Sequence, residues 1–162
     1  MRHFDHRMIV TRLSMLVALA LGSSELVSAE DSELELSLYE SAFRRVIAHV
    51  DRDDGVYLLS MVDADGRKID PPAEFLARFG DLRVAPGSNR EFTDKRSVRD
   101  KHSKSPAVIV EIRLIRSSSA DEGRVMWSYY IGYLASGGGT WLFIRSDYGW
   151  TFKESIGMEW VS

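Results

Sequence analysis

The sequence contains no cysteine, and this absence limits both its chemistry and its means of stabilisation. Disulfide bonds, thiol catalysis, iron–sulfur clusters, cysteine zinc sites and a lipid-modified N-terminal cysteine are all excluded. A chain of 162 residues is nevertheless long enough to form one domain around its own hydrophobic core. The core must therefore hold the fold together without covalent cross-links.

An excess of one charge is also missing. The chain has 21 Lys and Arg residues and 24 Asp and Glu residues, which gives a formal net charge of −3 at pH 7. Such a balance provides no general electrostatic attraction to nucleic acid or to anionic lipid. We therefore expect no nucleic-acid partner, and expect a small molecule or a protein instead.

Long hydrophobic runs are limited to one near the start of the sequence, at Leu13–Gly22. Arg2, Arg7 and Arg12 precede it, and Val27–Ala29 ends with small residues suited to signal-peptidase cleavage. As a helix the run would rise about 15 Å, half of the ~30 Å hydrocarbon thickness of a bilayer. We predict a signal peptide at 1–29, export to the periplasm or the extracellular space, and no membrane span after cleavage.

The mature chain, 30–162, is predicted to form a single α+β domain. Apolar residues at spacings of three and four predict a helix at 32–49, and Asp70 followed by two prolines predicts a short second helix at 71–79 with Asp70 as its N-cap. The segment 87–106 is highly charged and predicts an exposed loop, with a short hairpin inside it as the alternative. The expected fold is an N-terminal helix packed on a curved antiparallel sheet of about four to six strands, with one short extra helix.

Strands are predicted where apolar residues run together or alternate. Runs at 56–62 and 82–85 predict two strands, and 107–116 alternates so that Val108, Val110, Ile112 and Leu114 would face the core. In this alternation Ile109, Glu111, Arg113 and Ile115 would face outward.

The last forty residues alternate between aromatic runs and glycine-rich breaks. We predict hairpin turns at Ser136–Gly139 and Asp147–Gly149. The first turn would place Ala135 opposite Thr140. The core face would then hold Val125, Trp127, Tyr129, Ile131, Tyr133, Leu142, Ile144, Trp150 and Phe152. The opposite face would hold Tyr130, Trp141, Phe143 and Arg145, which we predict to form a ligand or partner surface.

The sequence has no recognisable catalytic set. His49 and His102 are the histidines outside the predicted signal peptide, and no HExxH or GxSxG motif occurs. The acidic turns Asp51–Gly55 and Asp63–Gly66 fail the spacing of a calcium-binding EF-hand loop. We therefore predict no metal site, no cofactor and no catalytic residues.

Several segments together resemble a family of small uncharacterised exported proteins, mostly bacterial. These segments are AFRRVIAHV, VYLLSM, DPPAEFLARF, PAVIVEIRLIR and the ending from SYYIGYLASGGG to MEWVS. The resemblance covers residues 40–162 in patches, and Asp70–Phe79 and Met158–Ser162 are its most specific parts. Trp127 and Ser128 stand where the family has two glycines. The resemblance implies an early helix and a closing aromatic hairpin, similar by analogy to cystatin-like and nuclear-transport-factor-2-like folds, and it implies no activity.

These observations lead to one main functional hypothesis and two alternatives. The main hypothesis is a non-catalytic exported domain that binds a small apolar or aromatic ligand, or a protein partner, on its sheet. The first alternative is an inhibitor or immunity-type protein that acts through a protein interface. The second is a small enzyme that uses His49 in a pocket between the first helix and the sheet.

Overall fold

The computed structural model describes residues 32–52, 54–94, 96–115, 119–132 and 135–162. The predicted signal peptide lies outside these ranges. Contacts divide the chain into two units, Met1–Glu35 and Leu36–Ser162. In the first unit only residues 32–35 are described, and they are helical. Within the described ranges, no helix is both long and apolar enough to cross a bilayer.

Residues 32–50 form helix α1, close to the predicted helix at 32–49. Its apolar stripe recurs every three or four residues and buries Leu38, Tyr39, Phe43, Val46 and Ile47. Phe43 lies at the centre of this stripe, with its ring centroid 6.3 Å from that of Tyr39. The stripe packs on one face of the sheet, as the sequence predicted.

A large mixed sheet and one short helix complete the α+β fold. The elements are β1 (Val56–Val62), β2 (Lys68–Ile69), α2 (Ala73–Ala77), β3 (Val84–Pro86), β4 (Arg90–Phe92), β5 (Val98–Asp100), β6 (Ala107–Ile115), β7 (Glu122–Gly132), β8 (Ala135–Ser146), β9 (Gly149–Ser155) and β10 (Trp160–Val161). Eight of these strands form one sheet in the order β10-β8-β7-β6-β1-β2, with β3 also paired to β1 and β9 also paired to β8. Each outer edge is thus shared by two short strands.

The sheet differs from the predicted antiparallel sheet in strand number and direction. β1 runs parallel to both β3 and β6, whereas the β6–β7, β7–β8 and β8–β9 pairs are antiparallel. The chain leaves β1, passes through α2 and the β4–β5 pair, and only then forms β6. A connection of this length lets the chain return in the same direction, which a tight hairpin cannot do.

The short helix α2 is present, but its predicted N-cap is wrong. Pro72 occupies the N-cap position, with no side-chain capping bond. The carboxylate of Asp70 instead accepts a hydrogen bond of 2.9 Å from the backbone N–H of Ser88. Asp70 therefore ties the start of this segment to the turn after β3 rather than starting the helix.

The predicted register of the closing hairpin is wrong: Thr140 pairs with Met126 instead of Ala135, an odd shift of nine positions. Ala135 pairs with Gly132 and Trp141 pairs with Val125, so Ser136–Gly139 lie inside β8 and do not form a turn. Because side chains alternate along a strand, this shift exchanges the two faces of β8. Trp141 and Phe143 join the core with Val125, Trp127, Tyr129, Ile131, Trp150 and Phe152. Leu142 and Ile144 are not part of this core, and Tyr133 lies outside the described residues.

The glycines of β8 explain why a turn-like sequence forms a strand. A side chain at Gly137 would place its first carbon 2.6 Å from the ring of Tyr129, which pairs with it across the two strands. The missing side chain leaves room for this ring on the helix side of the sheet. These glycines therefore serve close packing of aromatic rings and not reversal of the chain.

The charged segment 87–106 contains a short hairpin, the alternative predicted for it, and most of its described residues are exposed. β4 and β5 pair from Arg90–Asp100 to Phe92–Val98, and Val98 is buried. Val98 belongs to a second, smaller core on the side of the sheet away from α1. This core contains Val56, Leu58, Val98, Ala107 and Ile109, with Ala85 and Tyr130 packed against it.

One ion-pair cluster links the two strands of this hairpin. Glu91 accepts hydrogen bonds from Arg99 at 3.0 and 3.1 Å and from Lys104 at 2.9 Å. The hydrogen bonds from Arg99 and Lys104 lower the pKa of Glu91 to about 2. A lowered carboxyl pKa stabilises the folded hairpin above the ordinary pKa of the group, and this contribution is lost as the pH falls toward the folded pKa.

We therefore expect the hairpin to loosen as the pH is lowered from about 4.5 to about 2. Protection of the Val98 and Arg99 amides against hydrogen exchange, measured by NMR and normalised to the intrinsic exchange rate at each pH, should fall more steeply than protection in β6. In Glu91→Gln the hairpin should respond to low pH no more strongly than β6 does. An unchanged acid response in that variant would show that another group controls the hairpin.

Candidate functional site

The side of the sheet opposite α1, here called the open face, carries polar residues along its centre. Glu111 on β6 lies beside Ser128 on β7, and Arg113 lies beside Met126 in the next row. Thr140 on β8 pairs with Met126 and continues that row. Glu111 and Arg113 are the residues that the alternation of β6 predicted to face outward. The sequence thus identified the middle of this face correctly.

Two clefts on the open face share four residues and form one groove, here called the open-face groove. Their volumes are about 480 Å³ and about 350 Å³, and they share Lys68, Glu111, Ser128 and Trp160. The larger cleft also contains Arg113, Met126, Thr140 and Met158, and the smaller one Phe92, Ile109, Tyr130 and Ser136. Each volume falls in the range that accommodates small organic ligands.

Trp160 forms one side of the groove. β10 pairs with the first half of β8 so that Trp160 lies opposite Gly138. A side chain at Gly138 would place its first carbon 2.9 Å from the Trp160 ring and 2.8 Å from the Trp127 carbonyl oxygen. The glycine thus lets the indole lie against the strand, while half of the Trp160 surface (50 %) stays exposed. A flat aromatic surface is left available for contact.

Phe92 lines the smaller cleft of the groove and lies on the β4–β5 hairpin. Its ring meets that of Tyr130 edge to face, with centroids 6.1 Å apart, and 56 % of Phe92 is exposed. The Tyr130 hydroxyl donates a hydrogen bond of 3.0 Å to the Arg96 carbonyl, which attaches the hairpin to the sheet. Exposed aromatic rings therefore border the groove where its two clefts join, at Trp160, and in the smaller cleft, at Phe92.

The groove contains two cations and one anion. Lys68 forms an ion pair with Glu111. Arg113 Nη2 donates a hydrogen bond of 2.6 Å to the Ala64 carbonyl oxygen in the turn between β1 and β2. No carboxylate of the described residues is within ion-pair distance of Arg113. The lining of the groove thus carries one more cation than anion.

The four residues predicted to form a ligand surface do not share one face. Trp141 and Phe143 are buried beneath α1. Tyr130 is half-buried on the open face, where it lines the smaller cleft. Arg145 is exposed and lines none of the clefts described above. The structure brings only Tyr130 to the groove, because the register of β8 differs from the predicted one.

His49 lies on the other side of the sheet, near the end of α1. It is exposed, and its ring is 5.3 Å from Trp127 and 6.3 Å from Trp141 between centroids. None of the clefts described in this section includes it.

Glu159 joins β9, β10 and the core near His49. Its Oε1 accepts hydrogen bonds of 2.6 Å from both the Ser155 hydroxyl and the Trp141 indole N–H. These two hydrogen bonds, together with the charges of His49 and Arg45, lower the pKa of Glu159. The carboxylate thus anchors the chain before β10, which positions Trp160 at the groove.

A third cleft, of about 510 Å³, lies at the end of α1, and two of its three arginines pair with carboxylates of the same region. Arg44 binds Asp81 at 3.2 Å, and Arg52 lies 3.7 Å from Asp54. Because these guanidinium groups already have carboxylate partners, they offer less to a ligand than the open-face groove does.

Sequence reasoning missed Trp160, Phe92 and Lys68 as site residues. The alternation of β6 provided the signal for Glu111 and Arg113. For Trp160 the available signal was the row of small residues in β8, which indicates a place where an aromatic ring approaches the backbone closely. The sequence offers no such signal for Phe92, because this residue lies within a charged segment with little apolar patterning.

The described residues contain no group of three or more His, Cys, Asp or Glu side chains that could hold a metal ion. The chain matches no protein-family model, no curated protein and no solved structure. The geometry of the groove is therefore the basis for inferring a function.

Proposed function

We propose that this domain binds a small ligand with a flat apolar body in the open-face groove. The observation that carries the proposal is the joined pair of clefts bordered by the exposed rings of Trp160 and Phe92. Exposed aromatic side chains that border a cleft of this size are typical of binding sites for flat organic molecules.

Trp160 leaves half of its surface in water, where a flat ligand can stack on it. An indole held against Gly138 loses little conformational freedom when a ligand stacks on it, because its orientation is already set by β10. Stacking of aromatic rings contributes about 0.5–1.5 kcal/mol beyond the burial of area. Polar atoms of Glu111 and Ser128 on the floor would orient the polar end of the ligand.

The proposal is tested by titrating the protein with 2-naphthoate and 2-naphthamide, followed by isothermal calorimetry and by NMR of the indole N–H signals. We expect saturable binding with a shift of the Trp160 signal. Trp160→Ala should weaken binding of both probes about three- to tenfold, in line with the loss of one stacked ring. Phe92→Ala should also weaken binding of both probes, because Phe92 lines the smaller cleft.

Tyr148→Ala is the matched control, because Tyr148 is a fully exposed aromatic residue in the turn after β8 and lines none of the described clefts. Binding by this variant should equal that of the unmodified protein. Absence of saturable binding, or binding that survives both groove substitutions, would contradict the proposal. Circular dichroism of each variant separates loss of the groove from loss of the fold.

A further inference from the structure

The charge inside the open-face groove specifies the polar end of its ligand. Lys68 and Glu111 face each other and form an ion pair. Arg113 lies in the row next to Glu111 and has its Nη2 bound to the Ala64 carbonyl oxygen. This carbonyl oxygen occupies one donor of the guanidinium, which has no ion-pair partner among the described residues.

The position of Arg113 is fixed by the surrounding strands. Its backbone lies on the central strand β6, where it pairs with Val62 of β1 on one side and with Met126 of β7 on the other. The bond to Ala64 holds the guanidinium toward the β1–β2 turn, at the edge of the larger cleft. A positioned guanidinium is suited to bind a planar carboxylate through two parallel hydrogen bonds.

We infer that the ligand of the groove is an organic anion: a carboxylate bound at Arg113, with a flat apolar body that extends across Met126 toward Trp160. This inference depends on the groove being a ligand site, as proposed above. It adds the sign of the charge and the end of the groove at which the charged group binds. A cationic ligand would have to displace Lys68 from Glu111 and would also be repelled by Arg113.

The test compares three probes with the same naphthalene body: 2-naphthoate, 2-naphthamide and 2-naphthylmethylammonium. Calorimetry should give an affinity for the anion about tenfold higher than for the neutral amide, with the cation weakest. Arg113→Gln should reduce the affinity for 2-naphthoate about tenfold, close to that for 2-naphthamide, and lower the amide affinity much less. Arg113→Lys should retain part of the preference, because the charge remains while the two-pronged geometry is lost.

Arg145→Gln is the matched control, because it removes the same charge from an exposed position that lines none of the described clefts. This variant should keep the full preference for the anion. Equal affinities for anion and amide, or a preference that survives Arg113→Gln, would overturn the inference and leave the proposed groove intact. Tightest binding of the cation would overturn it in favour of recognition by Glu111, and binding of none of the probes would overturn both proposals.

Discussion

Replacing Trp141 with alanine is expected to lower the free energy of unfolding by about 3–5 kcal/mol. Trp141 is only 2 % exposed and lies beneath α1. Its ring is stacked on that of Trp127, with centroids 4.3 Å apart. Truncation leaves a cavity in the largest aromatic cluster of the core, which the surrounding strands cannot fill without losing their pairing.

Two further interactions are lost in the same substitution. The Trp141 indole N–H donates a hydrogen bond of 2.6 Å to Glu159, and the Arg45 guanidinium lies 5.0 Å from the Trp141 ring centroid. The Glu159 carboxylate would keep Ser155 as a donor. Its pKa should nevertheless rise toward the ordinary value, because one of the hydrogen bonds that lower it is gone.

The measurement is urea unfolding of the Trp141→Ala and Trp160→Ala variants, followed by far-ultraviolet circular dichroism. Both changes remove the same side chain, but Trp160 is half exposed on the open face. Trp160→Ala should therefore lower the free energy of unfolding by at least about 1.5 kcal/mol less than Trp141→Ala does. An equal or smaller loss at Trp141 would place that residue outside the core and would support the register predicted from the sequence.

The second large effect is expected at Gly138. Gly138→Ala should destabilise the protein by about 1–3 kcal/mol, because the added methyl group meets the Trp127 carbonyl oxygen and the Trp160 ring at under 3 Å. The backbone oxygen cannot move without disturbing the β7–β8 pairing, so Trp160 and β10 must move away. Amide exchange of Ser162, whose N–H donates to the Ser136 carbonyl oxygen, should accelerate as β10 detaches.

Gly80→Ala provides the control for this substitution. The nearest atom to a side chain at Gly80 is the Ala77 carbonyl oxygen at 3.7 Å, an ordinary contact distance. Each substitution lowers the conformational entropy of the unfolded chain by the same amount, which favours folding by about 0.4–1 kcal/mol. We expect Gly80→Ala to be neutral or slightly stabilising. A neutral Gly138→Ala would mean that Trp160 does not lie against β8, and the groove would then lose one of its sides.

The sequence contains enough local information to predict α1 and β6. The spacing of Phe43, Val46 and Ile47 is typical of a helix with one buried side, and the alternation from Val108 to Leu114 identifies both faces of a central strand. These predictions are confirmed because each depends on neighbours within a few residues. Packing then follows from the same apolar positions.

The register of β8 could not be obtained in this way. Three consecutive glycines at 137–139 are typical of a turn when only the neighbouring residues are considered. In the fold they accommodate Tyr129 on one face and Trp160, more than twenty residues later, on the other. The groove could not be predicted from neighbouring residues either, because its residues come from separate strands that only the mixed sheet order brings together.

The shared outer edges of the sheet also bear on how the protein behaves at high concentration. An unpaired strand as long as β8 would offer a row of backbone donors and acceptors to another chain. β9 and β10 divide that row between them, and the β8–β9 pairing shifts between Leu142 and Phe143. The outermost strand β9 presents the charges of Lys153 and Glu154 to solvent. Such features oppose edge-to-edge pairing of sheets, so we expect the protein to stay free of fibres despite the aromatic density of its C-terminal segment.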